Sequence, residues 1–277
     1  MKITILVDNI VPMAQIPFVG EHGLSLLIET ESQKILVDAG QSSAAFHNMG
    51  LLGFHVNQID AISISHGHYD HAGGLIHILH NSRKSMPIYA HTNLFGPRYF
   101  LTEGNRKYIG VPFAKAEADS WGAKWILSEA PIEIALKLWF SGQIPRTTDF
   151  EKINSKFVTD DINGNACHDQ ILDDTVLYYA SEKGLVVISG CAHSGMMNAI
   201  YHGFDITGQK KFLGWIGGTH LGPASEVQRI ETIKLLRKFN PEFIVTSHCT
   251  GIEMLGKLKS IFGAKLIPGF IGATIEC

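Results

Sequence analysis

The chain reads as a mixed α/β protein. Short β-branched apolar runs alternate with amphipathic stretches along all 277 residues. The first three runs follow one another with only short turns between them, whereas from Ala61 onward helical segments separate the runs. ITILV (3–7), LSLLIE (24–29) and KILVDAG (34–40) therefore suit a meander of neighbouring antiparallel strands, and the later strands a wound, parallel arrangement, so the sheet is mixed. In the segment 225–239, Val227, Ile230, Ile233, Leu236 and Phe239 recur every three or so positions and Asn240-Pro241 ends the run. This predicts a helix covering a sheet face. Residues 95–170 differ: they hold Trp121, Trp125 and Trp139 out of four tryptophans, with weak strand signals broken by Gly and Pro. They are expected to be an insertion or lid over the core of one domain spanning 1–277.

Composition limits the functional classes. Apolar residues make up 45% and charged residues 18%, and 23 Lys+Arg against 26 Asp+Glu give a net charge of −3. Without a large positive field a dedicated nucleic-acid protein is not expected. No apolar run reaches the ~18–20 residues that span a bilayer, and MKITILVDNI meets Asp8 too early for a secretory leader. The expectation is a cytoplasmic protein whose partner is a small-molecule substrate, with no nucleic acid and no membrane; oligomeric state is left open. Cys167, Cys191, Cys249 and Cys277 are too few and scattered for a disulfide scaffold, so reduced thiols are expected.

The 14 histidines carry the functional signal through their positions. AISIS stops at His66, MPIYA at His91, LVVIS is followed by Gly-Cys-Ala-His193, FLGWI by Gly-Gly-Thr-His220, and FIVTS by His248. Strands sharing a direction would bring these residues to one edge, where open α/β folds place their sites. The densest cluster is Ser65-His66-Gly67-His68-Tyr69-Asp70-His71-Ala72-Gly73-Gly74. His66 and His68, two apart in extended chain, can point the same way, while Asp70 and His71 on the next turn can face a second point a few Å away. Imidazoles with a carboxylate suit zinc, one or two ions, with Fe or Mn as alternatives; no organic cofactor is indicated.

These residues resemble the metallo-β-lactamase superfamily, whose H-x-H-x-D-H signature is matched by His66, His68, Asp70 and His71 after an apolar strand. The resemblance covers about 1–95 and 171–277. Within it, His22-Gly-Leu-Ser, Ser-Gly-Cys191-Ala-His193-Ser-Gly, Gly-Gly-Thr-His220-Leu and His248-Cys249-Thr-Gly are similar to recurring segments of the dihydropteroate-synthase-like subgroup, labelled as dihydropterin-ribofuranosylaminobenzene phosphate synthase. The resemblance implies an αββα sandwich of two mixed sheets with metals at one edge. It implies His193 as the ligand completing the His66/His68 site, with His168 as the alternative, and His248 as the ligand completing the Asp70/His71 site. It also implies that Asp38 braces the metal-loop backbone. One departure stands out: hydrolases of the superfamily end the corresponding strand in Gly-Asp, the Asp bridging two metals, and this chain has Gly190-Cys191.

Asp70 and His220 are the catalytic candidates, and His22, His91, Arg106 and Lys107 the substrate-binding ones. Trp121 and Trp125 offer stacking surface to a planar substrate, or fill the insertion's own small core. Arg98, with Arg106 and Lys107, reads as an anion clamp or a solvated face. His77 and His80 suit a packed helix face, and Asp8-Asn9 either a strand-ending turn or a reach into the site. Three functions follow: a metal-dependent enzyme of the dihydropteroate-synthase-like type acting on a phosphorylated or pterin-type molecule; a metallo-hydrolase of phosphodiesters, lactones or thioesters using metal-bound hydroxide; or a ligand-binding member without catalysis.

Overall fold

The computed structural model describes residues 1–12 and 15–277. In chain order, β1 (Lys2–Val7), β2 (Ser25–Glu29) and β3 (Lys34–Val37) are followed by α1 (Ala44–Leu51), β4 (Ala61–Ser63), α2 (Tyr69–Ala72), α3 (Leu75–Ser82) and β5 (Met86–Ala90). Next come β6 (Tyr99–Thr102), β7 (Asn105–Tyr108), α4 (Lys115–Ser120), β8 (Ala123–Leu127), β9 (Ile132–Ala135), β10 (Leu138–Phe140), β11 (Phe157–Asp160) and β12 (Ala166–His168). The chain continues through β13 (Val176–Ser181), β14 (Gly184–Ser189), α5 (Met196–Thr207), β15 (Phe212–Gly217), α6 (Glu226–Phe239), β16 (Phe243–Thr246), α7 (Ile252–Phe262), β17 (Leu266–Pro268) and β18 (Thr274–Glu276).

Two seven-stranded sheets, β18-β1-β2-β3-β4-β5-β8 and β17-β16-β15-β14-β13-β10-β9, pack face to face. Each has an antiparallel part and a parallel part: β3, β4, β5 and β8 run together in one, β14 to β17 in the other. The strands alternate between two buried faces with period two. Ile35 and Val37 of β3, and Val186 and Ile188 of β14, point into the layer between the sheets. Leu36 meets Ile78 and Leu79 of α3 on one outer face, while Leu185 and Val187 meet Ile200 of α5 and Leu236 of α6 on the other. The result is an αββα sandwich. A fully buried Ile or Leu here contributes roughly 1.5–3 kcal/mol.

Two expectations are corrected. The stretch 95–170 is not wholly an insertion: β8 extends the first sheet, and β9 with β10 extends the second. Only β6, β7, β11 and β12 form a separate four-stranded sheet, order β12-β11-β6-β7. The helix at 225–239 forms, capped by Ser225 Oγ accepting the Gln228 N–H at 3.2 Å and closed by Asn240 in a left-handed conformation. Its buried face, however, runs through Gln228, Thr232, Ile233 and Leu236, and Val227 and Ile230 are exposed. Among the described residues no helix is long and apolar enough to cross a membrane.

Candidate metal centre

The parallel strands place the histidines. β4 ends at Ser63, β14 at Ser189, β15 at Gly217 and β16 at Thr246, and the loops leaving them deliver His66, His193, His220 and His248 to one edge of the sandwich. Several of these loops hold non-glycine residues at positive φ: Asp38 (55°), Ala192 (61°), His220 (49°) and His248 (49°). Such backbone costs of order 1–3 kcal/mol per residue and persists where surrounding contacts impose it, characteristically at functional sites.

Asp38 organises the first histidines. Buried completely, its carboxylate accepts the Ser65 N–H at 2.7 Å and the Ser65 hydroxyl at 2.8 Å, and pairs with His71 Nδ1 at 2.7 Å. Ser65 Oγ lies 2.8 Å from His66 Nδ1. With the hydroxyl proton directed at Asp38, His66 carries its own proton on Nδ1, and His71 does the same toward Asp38. The Nε2 atoms of both rings are thereby aimed into the site, the arrangement by which carboxylates orient metal-binding imidazoles. On the far side His248 Nδ1 meets Asn9 Oδ1 at 2.8 Å, and the His248 N–H donates to Asp8 Oδ1 at 2.6 Å.

Two donor clusters result. His66, His68 and His193 bring ligand atoms within 4.8 Å of one another, with His66 Nε2 and His68 Nδ1 3.0 Å apart. In the second, Asp70 Oδ2 lies 3.3 Å from His248 Nε2, 3.2 Å from His22 Nε2 and 3.9 Å from His71 Nε2, and the last is 3.2 Å from His248 Nε2. Burial pushes His66 and His193 well below the usual imidazole range and His68 down to about 3, so all three are neutral at pH 7. His68 Nε2 and both ring nitrogens of His193 are buried without a hydrogen-bond partner. Each neutral ring offers one lone pair, and three such buried rings gathered about one point, with those nitrogens lacking an ordinary hydrogen-bond partner, suit a cation; three imidazoles at this spacing fit a tetrahedral transition metal with one open position. His71 differs. Burial alone would lower it, but Asp38 and Asp70 outweigh that and raise it to about 9. Burial likewise pushes Asp70 up, but His71, His22 and His248 hold it well below the usual carboxylate range.

Residues 19–144 match the family described as the metallo-beta-lactamase superfamily. Over 249 residues, covering 86% of this chain and 83% of the relative, the chain is 37% identical to 7,8-dihydropterin-6-methyl-4-(beta-D-ribofuranosyl)-aminobenzene-5'-phosphate synthase of Methanocaldococcus jannaschii. The chain belongs to the metallo-β-lactamase superfamily. An uncharacterized protein of the same organism is 33% identical over 99% of both chains. The crystal structure of a metal-dependent hydrolase of the β-lactamase superfamily superposes with a TM-score of 0.83 at 25% identity, covering 100% of this chain and 99% of that one. The superfamily and the named synthase make the chain an enzyme.

Beside the donor clusters this superfamily member has a cavity of about 800 Å³, within the size range of small-molecule sites. His220, His22 and Lys107 line it, as do Phe100 and Phe157 from the small sheet. His220 stands with its ring 4.2 Å from that of His193, and burial lowers it to about 4. Phe157 stacks on His68 at 5.6 Å and packs edge-on against His193 at 5.5 Å. Nothing in the sequence singled out Phe157, which sits in the stretch with weak strand signals. Asn9 joins both His248 and His22 to the first strand's end, so the Asp8-Asn9 pair does reach the site.

Other candidates lie elsewhere. His91 is buried against Asn93 N–H at 3.0 Å and Gln143 Oε1 at 3.3 Å, away from the cavity. Arg106 is paired with Asp160 at 2.8 Å and lies over the Tyr99 ring, so its charge is already committed. His168 is exposed on β12 beside Gln170. His77 and His80 lie exposed on α3, His80 against Trp121, and Trp125 packs on Phe95, so neither tryptophan reaches the cavity. Arg98 is neither clamp nor surface: it is buried and paired at 2.6 Å with both Asp169 and Asp173. Asp173 in turn accepts the Gly67 N–H at 2.7 Å, fixing the loop between His66 and His68.

Proposed function

We propose that the chain is a metal-dependent synthase that joins a dihydropterin carrying a methyl diphosphate to an arylamine, using zinc, or Fe or Mn, held by His66, His68 and His193 and by Asp70, His71 and His248. The observation that carries the reading is the set of buried, unpartnered nitrogens of His68 and His193 opening onto the cavity. Its pterin class comes from the 37% identical relative. A metal bound there supplies Lewis-acid stabilisation of anionic leaving-group oxygens. The chain's own groups do the rest: Phe100 and Phe157 offer flat apolar faces to a bicyclic ring, worth ~0.5–1.5 kcal/mol per aromatic pair beyond burial. Lys107 supplies positive charge to phosphate, His220 a neutral imidazole for hydrogen bonding to the reacting end, and Asp70, ionised, an acceptor for the amine's proton.

A hydrolase is the second reading, favoured by the structural likeness to a metal-dependent hydrolase. One experiment separates them. The pterin diphosphate and arylamine are incubated with metal-loaded protein in water enriched in heavy oxygen, and products are read by mass spectrometry. The synthase reading requires a carbon–nitrogen product free of label. Heavy oxygen in released phosphate or in a hydroxymethyl pterin would favour the hydrolase, and no conversion of either kind would reject both for this substrate class.

A further inference from the structure

Two thiols face the second donor cluster. Cys191 follows β14 and Cys249 follows His248, and both line the cavity. Cys191 Sγ, Cys249 Sγ and a nitrogen of His248 lie within 4.8 Å of one another. Cys191 Sγ also lies within 4.8 Å of ligand atoms of His66 and His71, 3.1 Å from His71 Nε2. One sulfur thus sits between a histidine of the first cluster and the histidines of the second. Its neighbours are imidazoles, where a buried structural cysteine would pack among aliphatic side chains. Cys249 Sγ accepts the His220 N–H at 3.3 Å.

The backbone closes tightly on both cysteines. A Cβ on Gly218 would stand 2.7 Å from Cys249 Sγ and 3.3 Å from Cys191 Cα. Ala192, next to Cys191, and His248, next to Cys249, both hold positive φ. Both cysteines are free thiols.

We propose that Cys191 and Cys249 bind metal as thiolates, Cys191 as the donor shared by the two cation positions where related hydrolases carry Asp, and Cys249 as a second sulfur at the His248 position. The inference rests on the metal-dependent reading above and specifies its donor set. Each S–H bond breaks as a sulfur–metal bond forms, the proton passes to bulk solvent, and no oxidant or reductant is needed. Soft sulfur donors select Zn²⁺, Fe²⁺ or Co²⁺ over Mg²⁺ at the second position.

The test is a cobalt titration of the metal-stripped full chain, followed by near-ultraviolet absorption and by elemental analysis. Wild-type protein is expected to show a sulfur-to-cobalt charge-transfer band. Cys249→Ser should lower that band by about half with cobalt content retained, and Cys191→Asp should keep the cobalt while losing its share of the band. The double variant should have none. Cobalt bound by the wild type without such a band would overturn the proposal and leave the metal-dependent reading standing. No cobalt bound by folded wild type would defeat both. Because the wild-type spectrum decides between these outcomes, the test survives a variant that fails to fold.

Discussion

Asp38 holds Ser65, and through it His66, on one carboxylate with His71, so a single buried side chain sets the direction of two donors from different clusters. Replacing it with Ala leaves a buried imidazole and hydroxyl without their partner. Asp38→Ala is expected to lose roughly 3–5 kcal/mol of stability, read by denaturant unfolding. Asp38→Asn keeps the shape but not the charge, and is expected to weaken metal affinity about 10–100-fold by competition with a chelating dye. An unchanged affinity would remove Asp38 from its orienting role. The sequence showed Asp38 at a strand end, and the superfamily pattern gave it this bracing role. His91 shows the limit of such reasoning: it also follows a strand, but Asn93 and Gln143 satisfy both its ring nitrogens.

At the scale of elements, the metal loops are held from behind by ionic anchors rather than by their own secondary structure. Arg98 neutralises Asp169 and Asp173, and Asp173 grips the Gly67 N–H between the two first histidines. Arg98→Met leaves two buried carboxylates uncompensated, so a loss of roughly 3–5 kcal/mol is expected together with weaker metal binding. Retained metal affinity in a destabilised variant would limit Arg98 to a purely structural part. On the second sheet, Glu151 accepts the Met197 and Asn198 N–H groups at 2.8 and 2.9 Å and so fixes the start of α5, directly behind His193. The strands bearing the histidines were legible because they are buried on both faces and read as continuous apolar runs. β8 and β9 were not, since edge strands mix exposed and buried residues in short stretches, as Ala123 buried, Lys124 exposed and Ile126 exposed show, and β10, between β13 and β9, has only three residues, Leu138–Phe140. Phe157 was hidden for a related reason: its strand has four residues, too few for an alternating pattern to stand out.

Across the whole molecule, the buried imidazoles set how stability depends on pH. His68 is lowered to about 3 and His220 and His248 to about 4, from 6.5, by burial. The unfolded chain takes up protons that the folded protein refuses, so stability of the metal-free protein falls as pH drops from 6.5 through about 4. Asp8 and Asp173, raised to about 6 by burial, act oppositely below that pH, but His66 and His193 join the larger group. His71, raised to about 9, contributes stability that is complete below 6.5 and lost as pH rises through 9. The melting temperature of metal-free protein should therefore peak near pH 6.5. A steady rise to pH 9 would contradict the charge assignments at His71.

A metal-dependent catalytic centre for a pterin-type substrate is the function proposed for this histidine edge. The most direct measurement returns zinc stepwise to chelator-stripped protein while following condensation of a dihydropterin methyl diphosphate with an arylamine. Product formation should be absent without metal, rise with bound zinc and level off at saturation, and His68→Ala should bind less metal and form no product. Turnover at full rate in stripped protein, or undiminished metal content and product in His68→Ala, would contradict it.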